Sequence, residues 1–127
     1  MAEGGIVKDS GFKDLIVWQK AMKLTTQIYM LTKKLPKDES YGLISQMRRS
    51  AVSIASNIAE GRDRDSEKEF AQFLSIARGS KSELETQLHV CVNVGYLTEC
   101  DLQEPLSLIN EVSSMLTALI KKFKTAN

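Results

Sequence analysis

Apolar side chains recur at three- and four-residue steps along four stretches of this chain, with polar residues filling the intervals. That spacing is the mark of a helix that buries one face. The first stripe is Leu15, Trp18, Met22, Thr25, Ile28, Tyr29, Leu31 or Thr32, and Leu35, and predicts a helix from near Lys13 to near Leu35. The second is Leu43, Ile44, Met47, Ala51, Ile54, Ala55 and Ile58, predicting a helix from about Glu39 to Glu60. The third starts at Ser66 and continues through Phe70, Phe73, Leu74, Ala77, Leu84, Leu88, Cys91 and Val92 or Val94, ending at Gly95. The fourth is Leu102, Leu106, Ile109, Val112, Leu116, Leu119 and Phe123.

The residues between the stripes read as stops and starts. Pro36 pushes Leu35 out of helical angles and breaks the first helix there. Gly61 supplies a left-handed cap for the second, and Arg62–Asp65 is a short charged loop. Ser66 and Glu69 have the spacing of a capping box, and Thr98 is an N-cap for the fourth helix. Pro105 complicates that helix, because an internal proline costs about 3 kcal/mol whereas one in the first turn is tolerated. Either residues 99–103 form a separate turn and the helix begins near Glu104, or a kink falls there. Lys121, Lys122 and Lys124 place cations at the negative end of the helix dipole. Four such helices with short connections pack against their sequence neighbours. The expected architecture is all-α: an antiparallel up-and-down four-helix bundle over residues 12–125, preceded by a mobile tail at 1–11.

Composition fits one domain. The chain has 127 residues, enough to bury a core without disulfides or metals, and 43% are hydrophobic. Net charge is only +1, which removes any global electrostatic argument for nucleic acid. The distribution is uneven. Residues 1–50 hold nine Lys/Arg against five acids, while residues 82–120 hold six acids and no Lys or Arg. A basic half facing an acidic half suits self-assembly as well as it suits a ligand site. Two cysteines, Cys91 and Cys100, are too few for a disulfide framework, and Cys91 falls in an apolar register. With no apolar leader and no membrane-length apolar run, a reduced, cytoplasmic setting is expected, with no membrane association.

No catalytic constellation is visible. The one histidine, His89, has Glu85 four residues back but lacks the paired Glu-x-x-His motifs of a di-metal bundle. Neither cysteine has a recognisable base, and the seven glycines are scattered rather than gathered in a phosphate loop. The expectation is no enzyme, no metal and no cofactor. Two other features stand out. Ser45, Ser50, Ala51, Ser53, Ala55, Ser56, Ala59 and Gly61 make the second helix slim and allow close helix approach. Asn57 and Glu60 border that face within reach of Arg78, Ser80 or Glu83, and read as a polar network setting the packing and subunit register. Arg48, Arg49, Arg62, Arg64 and Lys68 are the candidate phosphate contacts, with Asp63, Asp65 and Glu67 weakening the loop cluster. Repetition of a weak patch around a ring would strengthen it by avidity.

Several stretches together resemble one family. They are Phe12-Lys13-Asp14-Leu15 with Val17-Trp18-Gln19-Lys20-Ala21, and Gln46-Met47-Arg48-Arg49-Ser50-Ala51-Val52-Ser53-Ile54. Asn57-Ile58-Ala59-Glu60-Gly61, Glu69-Phe70, Phe73-Leu74 and Ala77-Arg78-Gly79-Ser80 follow, then Glu83-Leu84-Glu85-Thr86-Gln87-Leu88, Gly95-Tyr96-Leu97 and Leu119-Ile120-Lys121-Lys122-Phe123-Lys124. In this combination the chain resembles the four-helix bundle proteins encoded by intervening sequences of bacterial 23S ribosomal RNA genes, also called the S23 ribosomal protein family. The resemblance implies a homopentamer with a central channel. It also implies kinship with the accessory variability proteins of diversity-generating retroelements, which bind nucleic acid through a strongly basic surface; this chain is nearly neutral. The expected function is a non-enzymatic homo-oligomer associated with RNA or DNA. The alternative is an oligomeric scaffold for a protein partner or small ligand.

Overall fold

Each of the four stripes becomes one α-helix in the computed structural model, which describes residues 11–125: α1 (Ile16–Thr32), α2 (Leu43–Arg62), α3 (Glu67–Asn93) and α4 (Glu99–Lys124). Among the described residues there is no strand. The tail assigned to residues 1–11 lies outside them except for Gly11, which opens a single 3-10 turn, Gly11–Asp14, with φ at +60°.

Chain order is also spatial order. α1 packs on α2, α2 on α3, α3 on α4 and α4 back on α1, and the backbones on either diagonal stand further apart. The pairings are antiparallel. Thr25 meets Ala51 while Arg48 reaches Thr32, and Ser53 meets Ser80 while Met47 reaches Cys91. On the α1–α4 seam Lys20 pairs with Glu111, Gln27 with Glu104 and Lys34 with Asp101. These rungs join the basic and acidic halves of the chain inside one protomer, so part of the charge asymmetry is neutralised there rather than between subunits. The core is one cluster running the length of the bundle, with Leu24, Ile28, Ile54, Leu74, Leu84 and Ile109 fully enclosed.

The structure corrects several boundaries. α1 starts at Ile16 because Leu15 N–H bonds back to Phe12 in the preceding turn. It ends at Thr32 because the amides of Lys33, Lys34 and Leu35 turn to carbonyls three residues back, tightening the last turn before Pro36. α2 begins at Leu43, not Glu39; residues Lys37–Glu39 form their own 3-10 turn. The Glu39 carboxylate then caps the helix by accepting from Leu43 N–H at 3.2 Å. Gly61 is not a left-handed cap. It lies buried within α2, and among the described glycines only Gly11 and Gly95 have positive φ. Pro105 does not split off a separate turn; α4 is one helix from Glu99, with Pro105 buried inside it.

Other punctuation appears as read, except that the Ser66–Glu69 box is half formed, without the Glu69 side chain returning to the Ser66 amide. Ser66 Oγ accepts from Glu69 N–H at 3.1 Å. Thr98 forms a full capping box, although with Asp101 as its reciprocal partner. At Gly95, φ +86°, the amides of Tyr96 and Gly95 bond to Cys91 and Val92 carbonyls, which is a Schellman closure of α3.

Candidate functional site

The five side chains with phosphate-binding chemistry fall into two groups. Arg48 and Arg49 lie in the second turn of α2, whereas Arg62 closes that helix and Arg64 and Lys68 follow around the turn into α3. With a rise of 1.5 Å per residue, the groups stand about 20 Å apart along the axis.

The first group is ordered and open. Arg48 is half-buried, its guanidinium 4.6 Å from the Tyr29 ring centre. Its Nε donates to Thr32 Oγ1 at 3.0 Å and Nη2 to the Tyr29 carbonyl at 3.4 Å, so it also closes the end of α1. Arg49 is exposed and stands between two grooves that share Ser45 and Ser53. One, of about 620 Å³, is walled on the α1 side by Tyr29, Arg48 and Val52. The other, of about 630 Å³, opens toward α3 between Tyr41, Gln46, Glu83 and Gln87. Two guanidinium groups among serine hydroxyls match the donor pattern that holds phosphate oxygens.

The second group is compensated. Arg64 donates to Glu60 at 3.0 Å and lies 4.6 Å from the Phe73 ring centre. Arg62 is half-buried and Lys68 exposed, with Asp63, Asp65 and Glu67 exposed around them. Its field is therefore weaker than the count of cations implies.

Asn57, Glu60, Arg78 and Glu83 do not converge within the protomer. Asn57 Nδ2 donates to Ser53 on its own helix, at 2.8 Å to the carbonyl and 3.0 Å to Oγ. Ser53 and the buried Ser80 hydroxyls meet at 2.8 Å and form the polar link between α2 and α3. Glu60 turns to Arg64, Arg78 is half-buried on α3, and Glu83 sits on the rim of the second groove. Ser80 was within the expected reach of this face, whereas the role of Ser53 was not read from the sequence.

The first apolar stripe is corrected in phase: of its members only Ile28, Thr32 and Leu35 are buried, and Val17, Ala21 and Leu24, which it left out, take inward positions. Val17, Ala21, Leu24, Ile28 and Thr32 face the core. Met22 and Tyr29 are 42% and 40% exposed, and with half-buried Trp18 and Thr25 they form a second stripe on the outside of α1. Val52, Ser56 and Ala59 of α2 lie beside it, and Trp18, Met22 and Ala55 line a shallow groove between the helices. Tyr41, missed by sequence reasoning, is 99% exposed at the α1–α2 turn. The only sequence signal for it is an aromatic residue off the helical period, between Ser40 and Gly42.

Little here can do covalent chemistry. His89 and Cys100 are exposed, and Cys91 is buried with its thiol 3.6 Å from Met47 Sδ. Burial, followed by the negative charge of Glu39, pushes the Cys91 thiol above its ordinary value. Among the described residues no three His, Cys, Asp or Glu side chains are placed to hold a metal ion, and no helix is long and apolar enough to cross a membrane.

Against known proteins, the family model described as 23S rRNA-intervening sequence protein matches residues 13–118. No curated protein sequence matches. Among solved structures, the chain is similar to a crystal structure of a protein with unknown function from the S23 ribosomal protein family of Bacteroides thetaiotaomicron VPI-5482. The identity is 24%, with 84% of this chain and 99% of that one covered and a TM-score of 0.75, a likeness of fold.

Proposed function

This chain belongs to the 23S rRNA-intervening sequence protein family, and on that premise we propose that it is a non-enzymatic, cytoplasmic, homo-oligomeric bundle that contacts nucleic acid phosphate through Arg48 and Arg49. The observation that carries the reading is the second apolar stripe of α1. Met22 and Tyr29 are exposed, and Trp18, half-buried against the edge of the core, continues their line beside the small residues of α2. An apolar row beside a slim helix suits the close approach of another copy's helix. Arg48 and Arg49 stand at one end of that face, so assembly repeats a modest cationic patch several times, five in a pentameric ring, and multiplies its affinity. Arg62, Arg64 and Lys68 add a secondary contact damped by their acidic neighbours. Asn57, Glu60, Arg78 and Glu83 set the register between subunits, so Arg78→Met disturbs assembly more than RNA affinity.

Light scattering on the purified protein, with and without a structured ribosomal RNA fragment across a salt series, tests both halves. The expected result is a pentamer whose RNA affinity falls steeply with salt. Met22→Lys returns it to smaller species, and Arg49→Glu keeps the oligomer but abolishes RNA binding. A monomeric wild type refutes the assembly. An oligomer indifferent to RNA refutes the phosphate contact and favours the scaffold alternative.

A further inference from the structure

The groove between the α1–α2 turn and α3 has a composition that phosphate contact alone does not account for. Tyr41, on its rim, is 99% exposed. It is held there by a well-bonded turn. Ser40 N–H and Oγ both bond to the Lys37 carbonyl, Gly42 N–H bonds to Glu39, and Gln46 N–H bonds to Gly42. Glu39, between these, caps α2 and also accepts from Tyr96 Oη at 2.8 Å, tying the turn to the loop that follows α3. An aromatic ring is thus presented to solvent on a fixed platform rather than on a loose loop. In the same groove lie exposed Arg49, the hydroxyls of Ser45 and Ser53, and Gln46 and Gln87. The Gln87 Oε1 atom is buried and, among the described residues, has no hydrogen-bond partner. Glu83 on the far wall repels phosphate and leaves Arg49 as the place for it.

An exposed ring, an adjacent guanidinium and amide side chains are the parts from which proteins build platforms for unpaired bases. A duplex keeps its bases stacked on one another and offers such a ring nothing but backbone. We infer that this groove is a site for single-stranded nucleic acid, with one unpaired base stacked on Tyr41, its phosphate on Arg49 and its edge toward Gln46 and Gln87. The inference rests on the nucleic-acid reading above and deepens it. It says which form of nucleic acid is taken and which residue discriminates.

The test is fluorescence anisotropy of labelled RNA and DNA oligomers of one sequence, each single-stranded and as a duplex, at low and physiological salt. Wild type is compared with Tyr41→Ala, Tyr41→Phe and Arg49→Gln, with light scattering on every sample. Tyr41 touches no core, so its variants fold. Wild type binds the single strand more tightly than the duplex. Tyr41→Ala weakens single-strand binding by roughly ten- to a hundred-fold and leaves duplex binding unchanged, while Tyr41→Phe keeps the ring and the affinity. Wild type that binds both forms equally, with Tyr41→Ala harmless, overturns this inference and leaves the broader reading standing. A Tyr41→Ala protein that falls apart makes the ring a subunit contact and also overturns it. No binding of any oligomer at low salt overturns both.

Discussion

Gly61→Ala is the sharpest probe of how this bundle is held together. Gly61 lies in the last turn of α2 facing α3, and a Cβ built there would stand 2.6 Å from Phe73 Cβ, 3.0 Å from Phe70 Cδ1 and 3.3 Å from the Phe70 carbonyl oxygen. Two of those atoms are backbone or fixed to it, so no rotamer change relieves the clash. Relief requires α2 and α3 to separate by about 1 Å, which strips dispersion contacts along the seam. Overpacking of this kind costs about 1–3 kcal/mol, and a clash with fixed atoms belongs at the upper end. Alanine regains at most about 1 kcal/mol of helix propensity over glycine, and less in a last turn. The expected net loss is about 2 kcal/mol, which for a chain of this length lowers Tm by roughly 6–10 °C. Thermal and urea unfolding followed by circular dichroism read it. A left-handed cap would tolerate asparagine better than alanine, whereas close helix contact makes asparagine worse. A Gly61→Ala protein as stable as wild type, or Gly61→Asn more stable than Gly61→Ala, refutes the close contact.

Two further outcomes follow from burial and charge. Maleimide labels Cys100 alone in the native protein and Cys91 only after unfolding, because Cys91 is buried and its thiol is held protonated; two native labels appearing at equal rates, seen by mass spectrometry, contradict this. The hydrogen bond to Glu39 raises the Tyr96 hydroxyl above 10.0, so its contribution is complete below that pH and fades as pH rises through the folded value. Conversely, Lys34 and then the Thr98 amide hold the Asp101 carboxyl below 3.8. Its contribution is present above that value and disappears as pH falls through the lower folded one. Urea midpoints of Tyr96→Phe and Asp101→Asn against wild type check both: the first loses the alkaline limb, the second the acid limb, and an unchanged limb refutes the corresponding bond.

The charge seam and the two grooves arise from the same winding of the chain. Because α1 and α4 run antiparallel as neighbours, Lys20 and Lys34 meet Glu111 and Asp101. Such exposed pairs contribute at most about 1 kcal/mol each. Arg48 and Arg49, on α2, lie away from that seam.

The four helices, their kind and their order were legible in the residues themselves, because a 3.6-residue period and local capping act within a few residues of each other. Ser66, Thr98 and Gly95 punctuate the chain as read, and the family motifs follow from the same string. Where local rules met packing, they failed. The arc of apolar residues on α1 is wider than one core needs, so its period could not say that Leu24 turns inward while Met22 and Tyr29 turn out; only docking on α2 and α4 selects the phase. Gly61 has the sequence look of a cap, and the arrival of Phe70 and Phe73 from another helix makes it a point of close approach instead. The arginines near residues 48 and 62 read as two clusters of candidate phosphate contacts, and about 20 Å of axis separates them. The acids that quiet one group, Asp63, Asp65 and Glu67, are legible in the sequence, whereas only the fold brings Tyr29 and Thr32 of α1 to order the other. Local backbone preference lies in the string itself, whereas contacts between residues far apart in it exist only once the bundle closes.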